Sequence, residues 1–134
     1  MTASVVSLNP SANAQPRRRV LIVEDNLDAV HMTMTLLKMM GHEVDFAING
    51  FAAIEAARKF KPDIVLLDMG LPDFRGDKLA SQLRFEPGLE KTRIIAITGM
   101  PLSQVEERAR SAGCEAVYAK PIDPSLLEEL LAKT

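Results

Sequence analysis

The sequence contains few of the residues that build disulfide-linked or membrane-spanning proteins. Cys114 is the single cysteine, so no disulfide can form within the chain, and this fits a reducing cytoplasm. No apolar run reaches the ~20 residues that a bilayer-spanning helix needs, and the N-terminus lacks the basic start and apolar stretch of a secretory signal. The net charge of −2 gives no general attraction to nucleic acid or to an anionic membrane. We therefore expect a cytoplasmic protein that binds neither a membrane nor nucleic acid directly.

What the sequence does contain is enough apolar material for one folded domain. It has 134 residues, of which 47% are hydrophobic and 25% are charged. Residues 1–16 are small, polar and interrupted by proline, and we predict that they form a disordered lead-in to a domain spanning residues 17–134. The arginines at 17–19 precede an apolar strand, and solvated flanking charge is favoured over a phosphate-binding patch. Cys114 has no histidine or second cysteine near it in sequence, which indicates a packing or surface residue.

Short apolar segments alternate with segments of helical periodicity from residue 18 onward. We predict strands at 18–24, 42–48, 63–68, 92–98 and 115–120, and helices at 26–40, 51–60, 76–86, 102–112 and 124–132. The first, third and fourth strands are apolar throughout, as in strands covered on both faces, whereas the second and fifth alternate. This pattern predicts an α/β fold of three layers, (βα)5, with a parallel sheet between helices. The flavodoxin-like strand order 2-1-3-4-5 places the alternating strands at the edges.

Polar residues stand where the predicted strands end. Glu24 and Asp25 end the first strand, Asp68 the third, Thr98 the fourth and Lys120 the fifth. Ligands of such sheets bind beyond the carboxyl ends of the strands, so these side chains are expected to converge. Neighbouring carboxylates repel one another and have raised pKa values unless a cation compensates, and Mg²⁺ prefers oxygen ligands of this kind. The sequence therefore predicts a magnesium site at this edge of the sheet.

The same residues carry a resemblance to a known family. The segments VLIVEDN, IVLLDMGLPDFRG, AITG and AKP together resemble the receiver (CheY-like) domain of two-component response regulators. The spacing fits as well, with 30 residues from Asp68 to Thr98 and 52 from Asp68 to Lys120. The resemblance implies that Asp68 takes a phosphoryl group from a sensor histidine kinase or a histidine phosphotransfer protein, forming an acyl phosphate. Such a domain is a signalling phosphoacceptor that promotes its own phosphorylation and dephosphorylation, and is not an enzyme in the usual sense.

The resemblance also implies roles for the other residues. Mg²⁺, with Mn²⁺ as a substitute, would be held by Asp25, Asp68 and the backbone carbonyl of Gly70, with Glu24 acting through a metal-bound water. Lys120 and Thr98 would contact oxygens of the phosphoryl group. The bond between Lys120 and Pro121 is a candidate cis peptide, because only bonds that precede proline adopt cis readily.

Two positions depart from the family pattern. The acidic pair is normally Asp-Asp, and here the first member is Glu24. The switch aromatic normally lies three residues before the lysine, where this chain has Val117, and Tyr118 comes one residue late. A shift of one residue moves a side chain to the opposite face of a strand. We therefore predict that Val117 occupies the switch position and that movement of Thr98 is not reported by a rotating ring.

Two more residues bear on how long a phosphorylated state would last. Gly70 and Met100 lie two residues beyond Asp68 and Thr98, and neither side chain can hydrogen-bond an attacking water, so we expect slow hydrolysis of the acyl phosphate.

Two residues follow the last predicted helix, which suggests a stand-alone receiver or one excised from a larger protein. We expect it to switch its contacts with a downstream protein and to be a monomer or weak dimer. A phosphorylation-independent pseudo-receiver is the alternative, because the acidic pair and the switch are both altered.

Overall fold

The computed structural model describes residues 17–133, so the lead-in predicted at 1–16 lies outside the described residues. The strands are β1 (Arg19–Val23), β2 (Glu43–Ala47), β3 (Ile64–Asp68), β4 (Arg93–Thr98) and β5 (Ala116–Ala119). The helices are α1 (Leu27–Met39), α2 (Gly50–Phe60), α3 (Gly76–Arg84), α4 (Leu102–Ser111) and α5 (Pro124–Ala132). Every predicted element is present, with ends within two residues of the prediction. Within residues 17–133, no helix is long and apolar enough to cross a membrane.

The strands form one parallel sheet in the order β2-β1-β3-β4-β5, which confirms the predicted topology. Every residue of the central strand β3 is buried, whereas the edge strand β2 is mostly half-buried. This difference explains the two sequence patterns, because a central parallel strand is covered by helices on both faces and an edge strand is not.

The hydrophobic core lies in two layers, one on each face of the sheet. One layer joins β1 and β3 to α2 and α3, and its buried members include Leu21, Val23, Val65, Leu67, Ala53, Ile54, Ala57, Leu79, Ala80 and Leu83. The other joins the opposite faces of β1, β3 and β4 to α1 and α5, through Val20, Ile22, Ile64, Leu66, Ile95, Val30, Leu37, Leu127, Leu130 and Leu131. Alternate residues of each strand therefore face different helices, as the period of two in a strand requires.

Helix ends follow local sequence signals. The side chain of Asn26 accepts a hydrogen bond from the backbone N–H of Ala29 at 3.0 Å and caps the start of α1. Gly41 and Gly113 follow the ends of α1 and α4 with φ of +95° and +93°, a conformation that favours glycine at helix ends. These two glycines therefore mark where α1 and α4 stop.

Two of the arginines at 17–19, which were interpreted as solvated charge, are half-buried and also bond to the protein. The Arg18 guanidinium donates to the carbonyl of Leu131, with Nε at 2.9 Å, and also to that of Lys133. The Arg19 Nε donates to the carbonyl of Phe60 at 2.8 Å, and its guanidinium lies 4.3 Å from the centre of the Phe60 ring. Because β1 is an interior strand of the sheet, its first residues lie beside the ends of α2 and α5. The last carbonyls of these helices need hydrogen-bond donors.

Candidate functional site

The candidate site lies at the edge of the sheet where the parallel strands end. Glu24 and Asp25 directly follow β1, Asp68 is the last residue of β3, Thr98 is the last residue of β4, and Lys120 directly follows β5. A backbone hydrogen bond joins the ends of β4 and β5: the N–H of Lys120 donates to the carbonyl of Thr98 at 2.8 Å. The expected convergence at this edge therefore follows from the topology of the sheet.

Three carboxylates form the centre of the site. Oxygens of Glu24, Asp25 and Asp68 all lie within 4.8 Å of one another. The Glu24 and Asp68 residues are each 7% exposed, whereas Asp25 is exposed to solvent. Burial, together with the charge of Asp68, raises the pKa of Glu24 although Lys120 and the N–H of Asn26 work against this shift. The charged form of Glu24 is therefore less favoured at this site than in water.

Lys120 reaches into this cluster and bridges two of its members. Its Nζ lies 2.6 Å from Glu24 Oε1 and 3.2 Å from Asp68 Oδ2. Burial works to lower the pKa of the Lys120 ammonium, but the hydrogen bond to Glu24 and the charges of Asp68 and Glu24 outweigh it and raise that pKa. The shorter contact to Glu24 is a feature that the sequence did not indicate. The peptide bond between Lys120 and Pro121 is cis, as predicted.

Backbone donors orient the carboxylates. The N–H of Gly70 donates to Asp68 Oδ1 at 3.0 Å, and the N–H of Asn26 donates to Glu24 Oε2 at 3.2 Å. Because Lys120 is next to Asp68 Oδ2, the two oxygens of Asp68 have different partners. Gly70 itself is exposed and carries no side chain at the mouth of the site.

Thr98 is almost fully buried beside the acidic cluster. It is 1% exposed, and its Oγ1 accepts a hydrogen bond from the N–H of Met100 at 2.9 Å. Accepting this bond uses a lone pair of the oxygen and not the hydroxyl proton. The Met100 side chain is 37% exposed and is apolar at its end.

Val117 and Tyr118 lie on opposite faces of β5. Val117 is paired with Ala96 in the ladder and packs against the cluster of Met69, Ala96 and Ala109, on the face that α4 covers. Tyr118 is paired with Ile97 and packs against the other core layer, which α1 and α5 cover. The ring therefore does not lie between β4 and α4, and Val117 occupies that side of the strand.

Two further groups bear on which chemistry is available. Cys114 is half-buried and packs against the core, and burial raises the pKa of its thiol to about 11, which disfavours a nucleophilic thiolate. Asp73 was not selected from the sequence, yet its carboxylate is bonded to the start of α2. No periodicity or motif could have indicated this contact, since its partners are 23 and 22 residues away.

The residues present suit a hard divalent cation. Carboxylate oxygens are the ligands that Mg²⁺ prefers, and sites that use one or two protein carboxylates leave room for water. Asp25 is the exposed member of the cluster, so a hydrated ion can reach it from solvent. A cation there would offset the repulsion between carboxylates that the single ammonium of Lys120 leaves in place.

Comparison with known proteins identifies the family to which this arrangement belongs. Residues 20–132 match the family described as response regulator receiver domain. The polar-differentiation response regulator DivK of Brucella anthropi is 34% identical over 114 residues, which cover 84% of this chain and 93% of that protein.

Solved structures agree in fold. A response regulator receiver domain from Methylobacillus flagellatus has a TM-score of 0.79 at 31% identity, covering 87% of this chain and 97% of that one. The receiver domain of a sensor histidine kinase from Pseudomonas aeruginosa, with a magnesium ion coordinated in its active site cleft, has a TM-score of 0.78 at 27% identity, covering 87% and 95%. Because the family match extends from β1 to the end of α5, this chain belongs to the response regulator receiver domains.

Proposed function

We propose that this receiver domain is the phosphoacceptor of a two-component phosphorelay and that Asp68 is the residue that takes the phosphoryl group. The donor is a phosphohistidine of a sensor histidine kinase or of a histidine phosphotransfer protein. The observation that supports this proposal most directly is the Lys120 ammonium, 3.2 Å from Asp68 Oδ2 inside a cluster of three carboxylates. A cation that touches the acceptor oxygen is also placed to contact the group transferred to it.

In the proposed step, an oxygen of Asp68 attacks the phosphorus of the donor. The O–P bond of the acyl phosphate forms as the P–N bond breaks, and the ring nitrogen of the donor keeps the bonding electrons and is protonated from solvent. The transition state is loose, so catalysis consists mainly of positioning and charge stabilisation. Lys120 supplies a cation for one phosphoryl oxygen, and the Thr98 hydroxyl donates a hydrogen bond to another.

Asp25, Asp68 and the carbonyl of Gly70 would hold Mg²⁺, with Glu24 acting through a metal-bound water. When bound, the ion neutralises charge on the acceptor carboxylate and on the group that is transferred. Mn²⁺ is a proposed substitute, because it also prefers carboxylate and water ligands. The Glu24 carboxylate keeps its place in the cluster although it is one methylene longer than the usual aspartate.

The proposed output is a change in protein–protein contacts with a downstream target. The domain would act in the cytoplasm as a monomer or weak dimer, without direct binding to nucleic acid. The likeness to DivK and to the receiver domain of a sensor histidine kinase supports a place in a phosphorelay. The added charge at Asp68 would bias two states of the surface formed by α4, β5 and α5.

Intact mass spectrometry after incubation with acetyl phosphate and Mg²⁺ tests the proposal. The unaltered chain should gain the mass of one phosphoryl group, and Asp68→Ala or chelation of the metal should abolish the gain. Asp45→Asn is a matched control, because it removes a carboxylate from the edge strand β2, away from the site. No gain in the unaltered chain, or the same gain in Asp68→Ala, would favour the phosphorylation-independent pseudo-receiver.

A further inference from the structure

The loop that follows Asp68, residues 69–75, is tied to the start of α2 by the side chain of Asp73. Asp73 Oδ1 accepts a hydrogen bond from the backbone N–H of Gly50 at 2.8 Å, and Oδ2 accepts one from that of Phe51 at 3.2 Å. These N–H groups are among the first of the helix, which have no partner within it. A carboxylate suits this place, since the N-terminus of a helix carries partial positive charge.

Helix α2 already has a cap from its own chain. The Asn49 side chain accepts a hydrogen bond from the N–H of Ala52 at 2.8 Å. Asp73 therefore bonds to N–H groups that Asn49 leaves unpaired, and it does so from a loop more than 20 residues away. The contact joins two parts of the chain, whereas the Asn49 cap stabilises only the start of the helix.

Aromatic packing reinforces the same attachment. The rings of Phe51 and Phe74 have centroids 4.9 Å apart. A Cβ atom at Gly50 would come within 2.0 Å of the Phe74 ring, so the loop approaches α2 this closely only because position 50 is glycine. The loop is thus held to α2 by two hydrogen bonds and an aromatic contact.

The other end of the loop is fixed at the acceptor. The N–H of Gly70 donates to Asp68 Oδ1 at 3.0 Å, and the N–H of Gly76 donates to the carbonyl of Met69 at 3.3 Å. A Cβ at Gly76 would meet the Met69 Cα at 2.6 Å, so the two ends of the loop lie against each other. With its ends fixed, the conformation of the segment between them depends on the attachment at Asp73.

We propose that Asp73 is a positioning residue for the metal site: its bonds to Gly50 and Phe51 hold the loop so that the Gly70 carbonyl faces the ion. This inference rests on the proposed function, because Gly70 is a metal ligand only in that proposal. Asp73 would not touch the ion or the phosphoryl group. Its removal would leave the three carboxylates in place and would affect the third ligand alone.

Calorimetric titration with Mg²⁺ tests this role in the full chain. Asp73→Ala should weaken Mg²⁺ binding by about tenfold, at the low end of the range for residues that orient metal ligands. Asp73→Asn keeps an acceptor oxygen for the N–H of Gly50 and should restore part of the affinity. Asn49→Ala is the matched control, since it removes a cap from the same helix and leaves the loop attached, so thermal stability should fall and Mg²⁺ affinity should not change.

The dependence of phosphorylation on Mg²⁺ gives a second readout. With acetyl phosphate as donor, Asp73→Ala should raise the Mg²⁺ concentration for half-maximal rate and leave the rate at saturating Mg²⁺ near that of the unaltered chain. Equal Mg²⁺ affinity in Asp73→Ala and Asn49→Ala would overturn the positioning role. Failure of the unaltered chain to take up a phosphoryl group would instead overturn the proposed function, and the comparison of Mg²⁺ affinities would still decide the role of Asp73.

Discussion

Replacing Lys120 by methionine should change two properties of the protein in opposite directions. The substitution keeps much of the aliphatic stem and removes the charge that bridges Glu24 and Asp68. Without divalent metal, the carboxylates of the cluster then repel one another with no ammonium between them, and stability should fall. In the same variant Mg²⁺ should bind more tightly, because a competing cation is gone.

The geometry gives a magnitude for both the loss of stability and the gain in Mg²⁺ affinity. Removing one partner of a buried ion pair costs about 3–5 kcal/mol, and an exposed pair contributes about 0–1 kcal/mol. The Lys120 side chain is 32% exposed and that of Glu24 is 9% exposed, so the site lies between these limits and we expect a loss of about 2 kcal/mol. Repulsion between an ammonium and a divalent ion a few ångströms away is on the order of 1–2 kcal/mol even in water, so Mg²⁺ affinity should rise about tenfold.

Urea denaturation at low and at saturating Mg²⁺ measures both quantities for Lys120→Met. The loss of stability should be largest without metal and should shrink as Mg²⁺ saturates the site, since the ion takes over the role of the ammonium. Phosphorylation by acetyl phosphate should nevertheless slow, because Lys120 no longer contacts the transferred group. Lys91→Met is the control, an exposed lysine on the loop before β4. An unchanged or weaker Mg²⁺ affinity in Lys120→Met would refute the reasoning.

Three further results are expected from the structure. Gly50→Ala should lower the free energy of unfolding by about 1–3 kcal/mol in urea denaturation, because the added Cβ would overlap the ring of Phe74. Burial and the charge of Arg18 lower the pKa of His42, so the unfolded chain binds the proton more tightly than the folded chain. The free energy of unfolding should therefore fall as the pH drops below about 6.5, and this fall should be smaller in His42→Gln. The acyl phosphate should last for minutes or longer in a label-loss assay, because the side chains of Gly70 and Met100 cannot orient a water.

The first of these results has a matched comparison. Gly99→Ala adds a Cβ with nothing within 4 Å, and it should leave the free energy of unfolding nearly unchanged. A loss as large as that of Gly50→Ala would show that steric overlap is not the cause. A pH profile that His42→Gln leaves unaltered, or release of all label within seconds, would contradict the other two expectations.

The positions of the site residues could be predicted because they depend on strand ends. A fully apolar segment such as 64–67 must be covered on both faces, and in a parallel sheet its neighbours end at the same edge. Asp68 and Thr98 were therefore expected near each other before any contact was known. The opposite faces of Val117 and Tyr118 follow in the same way from the period of two in a strand.

The contacts that escaped prediction depend on loops and on side-chain reach. The bonds from Asp73 to Gly50 require a loop conformation that no periodic pattern records. The Arg18 bond to Leu131 could not be foreseen from the arginine run alone, because it depends on which helix ends beside β1. A run of charged residues in a sequence is solvent-exposed in most proteins. Carbonyls at helix ends that lack a donor can nevertheless bind such a side chain.

The pseudo-receiver alternative rests on two substitutions, the glutamate at position 24 and the valine at position 117. Glu24 Oε1 lies 2.6 Å from the Lys120 Nζ, and the Glu24 carboxylate keeps an oxygen within the carboxylate cluster. Val117 lies beside Ala96 on the face that α4 covers, where it packs against Met69 and Ala109. The Mg²⁺ affinity of Glu24→Asp would test the first substitution directly. Little change is expected, because the shorter carboxylate follows the same strand end. A large gain in affinity would mean that the pairing of Glu24 with Lys120 weakens Mg²⁺ binding in the unaltered chain.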